Sequence, residues 1–109
     1  MNYGLQLIRA IHERRILRLN YMGSNREVEP YALCGTSGDQ LILVVYQRSG
    51  HSKSGRPVGW KTLDLGHIIS IEVLDQVFRP RADYNPRENQ RYSRIIAEAR
   101  HQEFDGSSG

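Results

Sequence analysis

Six consecutive apolar residues, LILVVY at positions 41–46, limit the folds open to this chain more than any other feature. The run has no polar alternation, and its length is typical of a β-strand that is buried on both faces. It therefore predicts a central strand with a partner strand on each side. Turn-forming residues bound the run, because GTSGD precedes it at 35–39 and a loop with glycine and serine follows at 49–58.

Shorter runs on both sides of the central strand have the alternation of half-buried strands. ILRLNY (16–21) and REVEPYALC (26–34) precede it, and WKTLDL (60–65) and HIISIEVLDQVF (67–78) follow it. Pro30 has no backbone N–H, so it places the second strand at an edge or at a bulge. Five short antiparallel strands favour a small closed or partly open barrel, because closure removes exposed strand edges.

Helical patterns flank the strands at both ends of the chain. Leu5, Ile8 and Ile11 recur at close to helical spacing and predict a helix over residues 3–13. An Asn-Pro pair at 85–86 is typical of a helix start, and apolar positions 92, 95, 96 and 99 then predict a C-terminal helix. The predicted organisation is a barrel with its N-terminal helix (1–80), a C-terminal helical extension (81–104) and a disordered tail (105–109).

Composition indicates an ordinary globular protein, with 39% hydrophobic and 25% charged residues. No apolar run approaches the roughly 20 residues that a membrane span requires. The first residues lack the features of a signal peptide, so we expect a cytoplasmic protein that does not contact a membrane. Cys34 is the only cysteine, which excludes an internal disulfide and a zinc site built from several thiolates.

The most basic part of the chain lies between the third and fourth predicted strands. Residues 47–61 contain no acid, and the serines and glycines among them expose backbone N–H groups that can bind phosphate together with the positive charges. The alternative is a solvated hairpin loop whose charges are incidental. The candidate ligand-binding cations of this region are Arg48, His51, Lys53, Arg56 and Lys61.

Trp60 and two further groups of arginines each have a functional and a structural interpretation. Trp60 follows the basic loop, where an exposed ring can stack on a nucleobase, although aromatic residues of small barrels are more often part of the core. Two further groups of arginines can contact phosphates or form solvated faces. The first group is Arg9, Arg14, Arg15 and Arg18, with Glu13 as its acid in the local sequence, and the second is Arg87, Arg91 and Arg94.

Two stretches of the chain resemble the WYL domain when they are taken together. They are AIHERRILRLNYMGSNREVEPYALCGTSGDQLILVVYQRSG and KTLDLGHIISIEVLDQVF, and the resemblance covers residues 5–78 with every element in order. It implies an SH3-like or Sm-like five-stranded barrel. It also implies a bacterial regulatory module that senses a nucleotide or single-stranded nucleic acid through a basic groove and takes part in dimer contacts.

The chain departs from the family pattern at the ligand groove. The Trp-Tyr-Leu triplet falls on LIL at 41–43, so only Leu43 is retained. A later family motif consists of an arginine, a phenylalanine two residues on, and a second arginine before an isoleucine. It falls on Lys61, Leu63 and the pair His67-Ile68. Lys61 keeps a fixed charge, while His67 carries one only when it is protonated.

These observations predict a regulatory module rather than an enzyme. We expect it to bind nucleic acid, single-stranded in particular, or a nucleotide through a basic barrel rim, in bacterial transcription regulation or defence. The alternative is a protein-interaction or dimerisation adaptor whose ligand site has decayed. The histidines show no metal-binding spacing, and no nucleophile has a base beside it, so no catalytic residue, metal or cofactor is predicted.

Overall fold

The computed structural model describes residues 3–50 and 58–99. These residues form one helix, six strands and two short 3₁₀ helices. The main elements are α1 (Gly4–Glu13), β1 (Arg15–Tyr21), β2 (Ser24–Gly35), β3 (Leu41–Gly50), β4 (Gly59–Asp64), β5 (Ile68–Val77) and β6 (Arg94–Glu98). The first 3₁₀ helix, Leu65–His67, connects β4 to β5, and the second, Pro86–Arg91, precedes β6.

The strands form one antiparallel sheet in the order β4-β3-β2-β1-β5, and β6 pairs with β2. The apolar run at 41–46 belongs to β3, which lies between β2 and β4, so the prediction of a central strand is confirmed. The N-terminal helix is also confirmed, and it buries Leu7, Ala10 and Ile11 against the sheet. Among the described residues, no helix is both long and apolar enough to cross a membrane.

Strand β2 is the longest strand and changes partners along its length. Its first half pairs with β1 and its second half with β6, while β3 follows it on the other side. The register of the β2–β3 ladder shifts between Pro30 and Ala32, which is the bulge that the proline predicted. Tyr31, at this shift, is completely buried.

The sheet is not closed, because β4 and β5 form no ladder among the described residues. Two hydrogen bonds instead attach the β4–β5 connection to the end of β1. The backbone N–H of Asp64 donates to the Tyr21 hydroxyl at 3.1 Å, and the N–H of Met22 donates to the His67 carbonyl at 3.0 Å. The sheet is therefore open rather than a closed barrel, and the outer edge of β5 has no partner strand in the described residues.

The prediction of a C-terminal helix is wrong for residues 81–99, while residues 100–104 and the predicted tail 105–109 lie outside the described residues. Asn85 caps a helical turn and Pro86 begins it, as expected, but this 3₁₀ helix ends at Arg91 and the chain continues as β6. The second half of β2 offers unpaired backbone groups, and β6 satisfies them with Ile95 opposite Cys34. Ala97 and Ala99 are the buried residues here, while Ile95 is 41% exposed.

Replacing Gly50 with alanine is expected to lower the free energy of unfolding by about 2 kcal/mol or more. Gly50 has a φ of +119°, and a Cβ atom there would lie 2.6 Å from the Asn25 carbonyl oxygen and 2.9 Å from the Arg26 Cα. Both neighbours are backbone atoms, so they cannot turn away. Urea denaturation measures the loss.

The matched control is Gly38→Ala. Gly38 has no positive φ, and its nearest contact would be the Thr36 hydroxyl at 3.9 Å, so a change within about 0.5 kcal/mol is expected. Equal stability of the two variants would contradict the close approach of β2 and β3 at Gly50.

Candidate nucleic-acid interface and the adjoining cleft

The β3–β4 hairpin carries most of the predicted ligand-binding residues. Its strands pair with Val45 opposite Lys61 and Gln47 opposite Gly59, so Arg48 and Lys61 belong to one two-stranded unit. His51, Lys53 and Arg56 lie in the connection, outside the described residues. The hairpin therefore places Arg48 and Lys61 on either side of the most basic segment of the chain.

Arg48 lies close to a buried acid that partly offsets its positive charge. Its side chain is 33% exposed, and its Nε is 3.9 Å from Oε2 of Glu29, whose side chain is only 5% exposed. The sequence does not indicate this contact, because Glu29 alternates with Glu27 on a strand and has no local sign of burial. Arg48 nevertheless keeps part of its surface in solvent.

Glu29 is bound mainly by Arg81, which follows β5. The guanidinium forms two hydrogen bonds to the carboxylate, from Nε at 2.9 Å and from Nη2 at 3.1 Å. The Tyr31 hydroxyl donates to the same carboxylate at 3.1 Å and accepts the Arg81 backbone N–H at 2.8 Å. The guanidinium also lies 3.7 Å from the centre of the Tyr46 ring. We call Glu29, Tyr31, Tyr46 and Arg81 the Glu29 cluster.

The Glu29 cluster changes the acid–base properties of its members. Burial raises the pKa of the Tyr31 hydroxyl, and the neighbouring Glu29 carboxylate raises it further. The hydrogen bonds to Glu29 raise the pKa of Arg81. Both side chains therefore keep their protons at neutral pH, and two guanidinium groups, Arg81 of the cluster and Arg48 beside it, lie around one carboxylate.

Trp60 lies among aromatic rings next to the Glu29 cluster. Its ring centre is 4.7 Å from that of Tyr31, 5.3 Å from that of Tyr46 and 5.7 Å from that of Tyr84. The indole N–H donates to Oδ2 of Asp83 at 3.1 Å. This position favours the core interpretation of Trp60, although the side chain remains partly exposed along a cleft.

A cleft of about 320 Å³ lies between β4 and the segment 83–91. We call it the β4 cleft. Two of the predicted site residues, Trp60 and Lys61, line it, and two carboxylates balance its two cations. Its lining consists of Val44, Trp60, Lys61, Thr62, Asp83, Tyr84, Asn85, Glu88, Asn89 and Arg91.

A partly buried hydrogen-bond network supports the far wall of the β4 cleft. Tyr84 donates to Oε2 of Glu98 at 2.6 Å, and Nδ2 of Asn89 donates to the Tyr84 hydroxyl at 2.7 Å. Burial raises the pKa of Tyr84, and its hydrogen bond to Glu98 raises it further. The network fixes the second 3₁₀ helix against β6, so this wall is rigidly attached to the sheet.

Neither His67 nor residues 41–43, where the Trp-Tyr-Leu triplet of the family falls, line the β4 cleft. His67 is exposed in the first 3₁₀ helix, with its ring centre 6.0 Å from that of Tyr21 and nearly perpendicular to it. Leu43 and Leu63 are buried in the core, and Leu41 packs against it. The structure therefore brings together Arg48, Trp60 and Lys61 on one hairpin and places His67 in a different connection.

Ion pairs offset the charge of three of the four arginines in the N-terminal group, and two of these pairs use acids of β5. Arg15 contacts Asp75 at 3.4 Å and Arg18 contacts Glu72 at 3.1 Å, in addition to the Arg9–Glu13 pair at 2.9 Å. Glu13 is thus not the only acid beside these arginines, because β1 and β5 are neighbouring strands. This surface has little excess charge, and the β3–β4 hairpin is the stronger candidate for phosphate binding.

Two further kinds of site were considered within the described residues: a reactive thiol at Cys34 and a metal site. Burial raises the pKa of the Cys34 thiol to about 11, so the thiolate is a minor species at neutral pH. No group of three or more His, Cys, Asp or Glu side chains within residues 3–50 and 58–99 could bind a metal ion.

Comparison with known proteins supports the fold. The chain is similar to the solved structure of proteasome accessory factor B/C (PafBC) of Arthrobacter aurescens, with a TM-score of 0.62 and 27% sequence identity. The match covers 81% of this chain and 14% of PafBC. No protein-family model matches the chain, and no curated protein matches it. The likeness supports a WYL-related fold.

Removing the Arg81 side chain is expected to lower the free energy of unfolding by about 2 kcal/mol or more, because it leaves a buried carboxylate with too few partners. The variant is Arg81→Ala, measured by thermal and urea denaturation. Arg79→Ala is the control, since Arg79 is exposed two residues earlier and should change stability by no more than about 0.5 kcal/mol. Similar losses in both variants would show that Glu29 does not depend on Arg81.

Proposed function

We propose that this chain is a regulatory ligand-binding module that binds single-stranded nucleic acid, or a nucleotide, through the β3–β4 hairpin. The observation that carries the proposal is the charge of this hairpin. Its sequence holds four fixed cations, Arg48, Lys53, Arg56 and Lys61, and residues 47–61 hold no acid. Phosphate contacts supply most of the affinity of sequence-independent nucleic-acid binding.

The likeness to PafBC supports the regulatory part of the proposal. PafBC is a transcription regulator with a WYL domain, and this chain matches 14% of it, which is the scale of one module. We assign the chain to a partly open SH3-like barrel in which the hairpin forms one rim. Binding, not catalysis, is the activity that we assign to it.

Arginine suits the contacts that this function requires. All but two of the 15 basic residues are arginines, the lysines being Lys53 and Lys61. A guanidinium can bind a phosphate through two parallel hydrogen bonds. Arg48 has Glu29 within 3.9 Å, but Arg81 forms the two short hydrogen bonds to that carboxylate. Arg48 therefore remains able to contact a phosphate.

Binding of a labelled mixed-sequence single strand is expected to weaken steeply between ~50 and ~200 mM salt, because bound phosphates release counterions. The variant Arg48→Ala/Lys61→Ala should lose affinity and reduce the salt slope by about 1 for each lost phosphate contact. Fluorescence polarisation measures both quantities.

The charge-matched control is Arg9→Ala/Arg18→Ala, which removes two cations that acids already neutralise. It should keep the wild-type salt slope. Absence of binding at low salt, or equal losses in the two double variants, would overturn the proposed interface.

A second candidate function, an interaction or dimerisation adaptor, is favoured by the outer edge of β5. The described residues offer this edge no partner strand, and Ile69 and Val77 are 63% and 61% exposed. An unpaired edge with apolar β-branched side chains readily adds another strand. The adaptor would use β5 of a second copy or a strand of another protein.

The adaptor hypothesis predicts that the wild type has about twice the 12.5 kDa monomer mass in light scattering, and that Ile69→Lys/Val77→Lys is a monomer. Leu5→Lys is the control, because Leu5 is an apolar residue that is 80% exposed on α1 and belongs to no strand. A monomeric wild type would exclude the homodimer.

A further inference from the structure

The β4 cleft contains an acidic and a basic side chain next to each other. Glu88 and Arg91 are three residues apart in the second 3₁₀ helix, and a 3₁₀ helix has about three residues per turn, so the two side chains lie on one face. Asn85, three residues before Glu88, also lines the cleft. This spacing turns a carboxamide, a carboxylate and a guanidinium toward the same space.

The two charged side chains do not neutralise each other within the described part of the chain. Arg91 donates to the Tyr92 hydroxyl at 3.1 Å and lies 5.0 Å from the centre of that ring. The Glu88 carboxylate has no hydrogen-bond or ion-pair partner among residues 3–50 and 58–99. A ligand that presents donors beside an acceptor can therefore use both groups at once.

The charge of the β4 cleft is unsuited to a phosphate backbone. Asp83 and Glu88 oppose Lys61 and Arg91, so the lining has no net charge. A polyanion gains nothing from such a lining, whereas a neutral ring with donors and acceptors does. The cleft, about 320 Å³, is at the small end of ligand pockets, about 300–1,000 Å³, and suits one nucleoside.

Guanine is the nucleobase whose hydrogen-bonding edge matches Glu88 and Arg91 together. Its N1–H and 2-amino groups are parallel donors that a carboxylate can accept with both oxygens, and its O6 and N7 accept from arginine or lysine. Adenine and cytosine present one amino group beside acceptors, and uracil and thymine present one N–H between two carbonyls. These bases cannot give a carboxylate two donors on one edge.

We propose that the β4 cleft binds an unpaired guanine, with Glu88 accepting from N1–H and the 2-amino group and Arg91 donating to O6. The proposal rests on the proposed function for the source of the base, which is a strand bound along the β3–β4 hairpin. Lys61 belongs to both the hairpin and the cleft, so a phosphate at the rim and a base in the cleft are neighbours. The hairpin then supplies affinity, and the cleft supplies base preference.

Trp60 is the only tryptophan and lines the β4 cleft, so its fluorescence reports occupancy. In a titration with free nucleosides, guanosine is expected to bind at least about tenfold more tightly than adenosine. Inosine should fall between them, because it lacks the 2-amino group. Glu88→Gln should abolish the preference, since the amide N–H₂ opposes the guanine donors.

The control variant is Glu27→Gln, which removes the same charge from a side chain outside the cleft and should keep the guanosine preference. A second measurement uses thymine-rich strands with and without one guanine. The guanine strand should bind at least about tenfold more tightly to wild type, and Glu88→Gln should remove this gain without changing the salt slope.

The nucleoside titration and the strand-binding assay together distinguish failure of the guanine site from failure of the proposed function. Equal binding of guanosine and adenosine, no nucleoside response, or a preference that survives Glu88→Gln overturns the guanine site. Salt-dependent strand binding would in that case still support the proposed function. Guanosine selectivity without strand binding supports the guanine site with a free guanine nucleotide as its ligand, and it contradicts nucleic-acid binding by the hairpin.

Discussion

The buried carboxylate of Glu29 holds the segment after β5 against the sheet. An ionised group inside a protein costs several kcal/mol unless it is paired and hydrogen-bonded, and Arg81 and Tyr31 meet this requirement together. Because Arg81 follows β5, the pairing directs the chain after β5 across to β2 and β3. Tyr84 then lies against Trp60, and the β4 cleft forms between them.

The order of α1 and β1–β5 could be predicted because each of these elements has a local signal. Apolar periodicity identifies α1, the continuous apolar run identifies β3, and Pro30 identifies the bulge in β2. The C-terminal region could not be predicted in this way. A helix start at Asn85 and a stripe of apolar residues agree with a helix, but the second half of β2, whose residues lie 59 to 66 positions earlier in sequence, pairs with β6. Long-range backbone pairing overrides a local pattern of this length.

Some features of the candidate site also have a local signal in the sequence, and others depend on residues far apart in it. The charges of the β3–β4 hairpin are contiguous in sequence, so composition alone indicates them. Glu29 and Arg81 are 52 residues apart, and no spacing rule connects them before the sheet is known. The same applies to the acids that β5 supplies to Arg15 and Arg18, which make the N-terminal basic group nearly neutral. Sequence therefore indicates where charge is dense, while the fold decides which charges stay available.

The densest positive charge of this molecule lies on the β3–β4 hairpin, whereas the β4 cleft lies beside it and has balanced charges. This arrangement affects which nucleic-acid sequences it could distinguish. A basic hairpin attracts any phosphate backbone and distinguishes sequences poorly, because phosphates carry no base information. The β4 cleft has balanced charges and a wall fixed by the Tyr84–Glu98–Asn89 network, so it adds little attraction but presents defined donors and acceptors. The segment after β5, absent from the resemblance to the WYL domain, forms that wall. In the proposed guanine site, selectivity would come from the C-terminal segment and not from positions 41–43, where the Trp-Tyr-Leu triplet of the family falls.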